Sequence, residues 1–173
     1  MRRWPPGLVF VDVGAHDGAE TVAFAQLGMD VLTFEPAPLK IRGTRHSIEA
    51  QVHKAKRAMT STGLHSRIPF GNVTLVSAAV SNRSGHASFF VNDASGSQRD
   101  TLAHDPLGLG KPVTVPVTTL DHEIYSLAAA TGRDPGVAFL KIDAQVNTAE
   151  ESEERGFRAR RLLASAMPTP MPI

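Results

Sequence analysis

The stretch Asp12-Val13-Gly14-Ala15-His16-Asp17-Gly18 sets two carboxylates, an imidazole and two glycines close together. Glycine lets backbone approach a ligand closely, and a helix beginning after Gly18 would present N–H groups to it. The spacing is D-x-G-x-x-x-G. It lacks the middle glycine of the dinucleotide fingerprint, and no Gly-Lys-Ser/Thr follows to make a P-loop. Asp12 and Asp17 would repel a pyrophosphate but attract an ammonium group. Glu35 follows Asp12 by twenty-three positions, where an α/β nucleotide-binding fold places an acid that accepts hydrogen bonds from a ribose diol. Charge-assisted bonds of this kind contribute on the order of 1.5–3 kcal/mol each. A ligand with a ribose, a cationic amino-acid end and no phosphate satisfies both features. S-adenosylmethionine has that chemistry, whereas a nucleotide-dependent oxidoreductase is disfavoured by the missing glycine.

These residues must be positioned by a sheet. Leu8-Val9-Phe10-Val11 is a continuous apolar run ending in Asp12-Val13-Gly14, the pattern of a buried parallel strand stopped by a glycine turn. Val22, Phe24, Ala25 and Leu27 recur near helical spacing, with Gly28 as terminator. Val31-Leu32-Thr33-Phe34 is a second buried strand, ended at Glu35-Pro36 because proline cannot donate to a ladder. Together these make a βαβ unit. Residues 39–59 carry Ile41, Ile48, Val52 and Ala55 at helical intervals among Lys, Arg and His, which predicts a helix with a solvated basic face. Val73 to Val80 is a third core strand. Ala87–Val91 and Val113–Val117 are β-rich and flank a long polar segment, Asn92–Gly110, which suggests a hairpin-like excursion whose loop covers an acceptor site. A helix is expected over Leu120–Thr131, capped near Thr119, and a further buried strand over Val137–Ile142 ends at Asp143.

The chain has 173 residues, enough for one domain without a disulfide or metal staple. It has no cysteine, which excludes thiolate zinc sites, iron–sulfur clusters, cysteine nucleophiles and disulfides. Seven histidines without clustered spacing predict no metal site, and His46, His53 and His65 are expected at the surface. Eighteen basic against 17 acidic residues give a net charge of +1, and aromatic residues are 6%. Neither favours a nucleic-acid or membrane partner. No apolar run reaches the length of a membrane span, and Arg2-Arg3 is followed by Trp4-Pro5-Pro6-Gly7 instead of an apolar signal core. A cytoplasmic location is therefore the expectation, with oligomeric state left open.

Several blocks together carry a more specific resemblance. Phe10 to Gly18, Phe24-Ala25 and Val31 to Pro38 resemble the opening of FkbM-family methyltransferases. Ala78 to Gly85, Val115 to Asp121 and Phe139-Leu140-Lys141-Ile142-Asp143 resemble later blocks of that family, in order, so that the resemblance spans residues 8–145. It implies an α/β fold of the Rossmann-like class I methyltransferase type, mostly a parallel sheet with flanking helices. It also implies S-adenosyl-L-methionine as cofactor and methyl transfer to a hydroxyl oxygen of a small-molecule or carbohydrate acceptor. By the same resemblance, Asp12, Gly14, Ala15 and Gly18 would cradle the methionine end of the cofactor. Glu35, with Pro36 beside it, would hold the ribose hydroxyls, and Ser77, Ala78 and Ala79 would border the adenine. Asp143 would lie near the transferable methyl. Asp143 and His16 are the candidate general bases. The competing readings are a strand-end carboxylate capping a turn for Asp143 and a surface loop histidine for His16.

The family's K-I-D block normally continues to a glycine, and Val146 stands there instead. Residues 146–173 then run from an acidic cluster through a basic one into Pro168, Pro170 and Pro172, the composition of a weakly helical or disordered tail. The expectation is a domain at 8–145 that lacks the C-terminal strands of the full sheet. The alternative to an active enzyme is a catalytically inactive, cofactor-binding remnant.

Overall fold

A computed structural model of the chain describes residues 7–63, 69–91 and 111–143. Their elements run β1 Leu8–Val13, α1 Ala19–Gln26, β2 Asp30–Phe34, α2 Pro38–Ser61, β3 Val73–Val76, β4 Ala79–Val80, β5 Gly85–Val91, β6 Lys111–Thr118, α3 Leu120–Thr131 and β7 Gly136–Ile142. The segment Asn92–Gly110, His65 and the expected tail at 146–173 lie outside the described residues.

Four strands form a parallel sheet in the order β3-β2-β1-β7. Strand side chains alternate between faces, so the sequence of β1 separates two cores. Val9, Val11 and Val13 join Leu32, Phe34 and Val137, and Leu120, Ile124 and Leu127 of α3 pack on this face. On the other face Phe10 and Val31 meet Ala25 of α1 and Met29, with Phe24 stacked on Phe10 at 3.9 Å between ring centroids. Val22 of α1 packs with Ile48 and Ala55 of α2. The result is an α/β fold, a mostly parallel sheet with helices packed on both faces, as the sequence leads one to expect.

The helix boundaries follow from their ends. Gly28 takes a left-handed φ of 84° after α1, the conformation glycine adopts without steric cost. Pro38 starts α2, where its missing N–H would have had no helical partner anyway. Arg42, Arg45, His46, His53, Lys54, Lys56 and Arg57 are exposed along α2, while Ile48, Ala55 and Met59 are buried. This is the solvated basic face the sequence predicts. In α3 the Thr119 side chain accepts from His122 N–H at 3.1 Å, and Gly132 closes the helix at φ 64°.

The third strand departs from the sequence reading. Val73 to Val80 does not run straight but breaks at Ser77-Ala78, and Ala79–Val80 leaves to pair in parallel with β6 in a second sheet of order β4-β6-β5. Small residues explain the crossing. Ala79 packs with Ala37, Phe89, Val91 and Val115 in a separate cluster, where a larger side chain would hold the two sheets apart. The β-rich pair is the expected antiparallel hairpin, with Gly85–Val91 registered against Lys111–Val117.

Replacing Thr119 by Ala removes the cap of α3 and should cost about 1 kcal/mol in urea unfolding, while Thr119→Ser should stay within a few tenths of wild type. Equal stability of the Ala variant would show that the cap carries no weight.

Candidate functional site

In a parallel sheet every strand ends at the same edge. The order β3-β2-β1-β7 therefore brings Ser77-Ala78, Glu35-Pro36, the loop Gly14–Gly18 and Asp143 to one side of the molecule. The connection from β1 leads through β2 to β3 on one side, whereas β7 adds on the other. The carboxyl ends of β1 and β7 thus flank a topological switch point, where open α/β sheets bind ligands. Of the candidate site residues, Asp12, Gly14, Ala15, His16, Gly18, Glu35, Pro36, Ser77, Ala78 and Asp143 lie at or near this edge.

The glycines of the loop are explained differently from what the sequence suggested. A side chain on Gly14, at φ 95°, would stand 2.5 Å from the backbone oxygen of Asp143. One on Gly18, at φ 80°, would overlap the side chain of Ile48. The room created by both glycines is filled by the chain itself, which lets β7 and α2 close against the loop. The amides also turn inward. Gly14 N–H and Ala15 N–H both donate to the Phe34 carbonyl, at 3.1 and 2.9 Å, and Gly18 N–H donates to Ala15 at 2.7 Å. At the start of α1, Asp17 Oδ1 accepts from Ala19 N–H at 3.1 Å. A carboxylate of the chain thus occupies a position that a phosphate would otherwise seek.

His16 takes a left-handed φ of 48°, the only positive φ at a non-glycine among the described residues. Helix α2 holds it there. Thr44 Oγ1 donates to the His16 carbonyl at 2.7 Å, and Gln51 Nε2 donates to the Asp17 carbonyl at 2.9 Å. The imidazole is mostly exposed, with Nδ1 3.9 Å from Asp17 Oδ1. Backbone held in a sparsely populated region by surrounding bonds is a feature of functional loops.

Asp12 is entirely buried. Its Oδ2 accepts from Thr21 Oγ1 of α1 at 2.8 Å, and Thr21 Oγ1 lies 3.1 Å from Thr33 Oγ1. A hydroxyl has one proton, and that of Thr21 goes to the carboxylate, so Thr33 is the donor in the second bond. Asp12 Oδ1 faces Lys141 Nζ at 3.3 Å, an ion pair without the alignment of a hydrogen bond. Thr33, Asp12 and Lys141 are register partners on β2, β1 and β7 and form one polar row across the sheet. Burial raises the Asp12 carboxyl above its ordinary value, and Thr21 and Lys141 offset part of that rise. For Lys141 burial alone would lower the ammonium, but the attraction of Asp12, Glu20 and Asp143 outweighs it and the net shift is upward. Asp12 is therefore spent on the interior and does not line an open cleft. Lys141 is the residue sequence reasoning left without a role. Its signal was a single cation in an otherwise apolar strand; the register sets it directly opposite the buried acid.

Glu35 is 6% exposed. Its N–H donates to the Val76 carbonyl at 3.1 Å, and its Oε1 accepts from Ala37 N–H at 2.9 Å. Backbone and side chain are both fixed, and Pro36 lies inside the small turn so formed. Ser77 is exposed, while Ala78 and Ala79 are buried. The Asp143 N–H donates to the Val13 carbonyl at 2.9 Å, which sets its exposed carboxylate beside the loop.

A family model described as a methyltransferase FkbM domain matches residues 12–147. The match takes in the glycine loop, Glu35, Ser77 to Ala79 and Asp143. No curated protein and no solved structure matches the chain.

Replacing Gly14 by Ala forces a Cβ against the Asp143 backbone at a φ unsuited to L-residues. It should destabilise the fold by roughly 3 kcal/mol or more, read as a loss of cooperative unfolding or a large drop in Tm. A Gly14→Ala chain as stable as wild type would contradict the packing described here.

Proposed function

The chain belongs to the FkbM methyltransferase family, and from that premise we propose that it binds S-adenosylmethionine along the carboxyl ends of β1, β2, β3 and β7 and methylates a hydroxyl oxygen of a small molecule or sugar. The observation that carries this reading is Glu35, a buried carboxylate fixed at the end of β2 beside the switch-point loop. An acid at the carboxyl end of the second strand is where an α/β nucleotide-binding fold accepts hydrogen bonds from a ribose diol. The residues thus fit the ligand at its sugar. At the start of α1 the Asp17 carboxylate already takes the Ala19 amide, which suits a ligand without phosphate.

In this reading S-adenosylmethionine, when bound, supplies an electrophilic methyl group on a sulfonium. The chain's own part is placement and proton handling. Glu35 and Pro36 hold the ribose end, Ser77, Ala78 and Ala79 border the base, and Gly14, Ala15 and Gly18 shape the floor under the amino-acid end. Methyl transfer is an in-line displacement, so orienting the acceptor oxygen supplies most of the rate. A hydroxyl acceptor must also lose its proton, and a positioned base contributes about 10²–10⁴-fold. Asp143 and His16 are the groups at the switch point that can accept it. Both are exposed beside the loop, as a group meeting an incoming acceptor has to be.

Calorimetric titration of the full chain should show saturable binding of S-adenosylmethionine and S-adenosylhomocysteine, and Glu35→Ala should weaken both by at least about tenfold, or 1.4 kcal/mol. Unchanged affinity in a folded Glu35→Ala chain would refute the ribose assignment, and no heat with folded wild type would sink the cofactor reading. Saturable binding without methylation of any member of a hydroxyl panel would favour a cofactor-binding remnant.

A further inference from the structure

The buried acid of the site is not paired with a ligand group but with another residue of the chain. Lys141 Nζ stands 3.3 Å from Asp12 Oδ1 of β1, 3.7 Å from Glu20 Oε2 of α1 and 3.9 Å from Asp143 Oδ2 beyond β7. One ammonium thereby joins the three segments that meet at the switch point. Its partners differ in exposure. Asp12 has none, whereas the side chains of Glu20 and Asp143 are 54% and 75% exposed. The inner ion pair is the shortest of the three and the one whose acid is shielded from water.

We propose that Lys141 is a positioning residue, anchored below by Asp12, that directs the Asp143 carboxylate over the glycine loop, and that Asp12 serves as its anchor and does not receive a ligand's ammonium group. The backbone of Asp143 is already fixed by its N–H bond to Val13 and its packing on Gly14. What remains free is the carboxylate's direction, and Lys141 supplies the charge that sets it. A ligand ammonium at Asp12 would have to displace Lys141 and reach an oxygen with no solvent access. The role of Asp143 rests on the cofactor reading above, while the Asp12–Lys141 anchor rests on geometry alone.

The two halves separate by experiment on the full chain with Lys141→Met, Lys141→Arg, Asp12→Asn and the double variant Asp12→Asn/Lys141→Met. The groups that face Asp12 and Lys141 are Glu20 and Thr21 from α1, Thr33 from β2, and Asp143 just beyond β7. A raised carboxyl stabilises the fold most below its unfolded value and loses that advantage as pH climbs through its folded value. Without Lys141 the folded value rises further. The urea midpoint of Lys141→Met should therefore fall further below wild type at about pH 8 than at about pH 4.5, and the double variant should lose that pH dependence and regain most of the stability. A Lys141→Met chain with the wild-type pH dependence would overturn the anchor, whether or not the wild type binds S-adenosylmethionine.

Turnover then tests positioning and affinity tests the role of Asp12. With a hydroxyl acceptor that the wild type methylates, Lys141→Arg should keep kcat within about threefold, whereas the stable double variant should lose at least about tenfold in kcat while its affinity for S-adenosylmethionine stays within about threefold of wild type. A double variant with wild-type kcat would reduce Lys141 to a structural residue. An Asp12→Asn chain that binds S-adenosylmethionine at least about tenfold more weakly than wild type would make Asp12 the ligand's acid and overturn the proposal. If Lys141→Met does not fold, the Arg and double variants still decide it. Absence of binding by folded wild type would instead count against the cofactor reading.

Discussion

A carboxylate with no solvent access sits at the centre of this parallel sheet, and the placement of its neighbours follows from the need to compensate it. Leaving one buried charge uncompensated costs several kcal/mol, about 3–5 when a partner is removed. Asp12 is met from two directions, by Thr21 of the overlying helix, itself bonded to Thr33, and by Lys141 of the neighbouring strand. Each contact also fixes an element. Thr21 sets the rotation of α1 over the sheet, and Lys141 sets the register of β7 against β1. The hydrophobic faces give this sheet its stability, but apolar packing is non-directional. The polar row selects one arrangement of α1 and β7 among those that apolar contact would allow.

Much of this was legible in the sequence. Continuous apolar runs located β1, β2 and β7, Gly28 marked the end of α1, and Thr119 marked the start of α3. The glycine loop, Glu35 and Asp143 could be placed at strand ends before their common edge was known. What escaped was whatever depends on a partner distant in sequence. The break at Ser77-Ala78 arises from Ala79 packing against Ala37 and Val115 in a second sheet, which no local pattern announces. The packing of Asp143 on Gly14 joins residues more than a hundred positions apart. Lys141 looked like a lone polar residue near a strand end until the register set it opposite Asp12.

The glycine loop shows why a motif alone does not separate folding from binding. Gly14 and Gly18 each answer to an internal neighbour, and the amides of Gly14, Ala15 and Gly18 are spent on internal carbonyls. Such a loop would be needed even in a protein that bound nothing. The functional reading therefore draws its weight from outside the loop, from the family match over residues 12–147.

His16 is the loop residue whose geometry is hardest to explain by folding. Its φ of 48° is unfavourable for a side-chain-bearing residue, and glycine there would relieve the strain. The conformation is enforced from outside the loop, by Thr44 on its carbonyl and by Gln51 on the next one. Helix α2 carries no residue of the candidate site, yet it determines how the loop presents its imidazole. A turn that only joined β1 to α1 would not need that bracing. Strain of this kind, of order 1–3 kcal/mol, persists where the surroundings over-determine it and concentrates at active sites and ligand clamps. In the function proposed above, the loop, at the β1/β7 switch point and beside Asp143, is a preorganised surface for the acceptor side of methyl transfer.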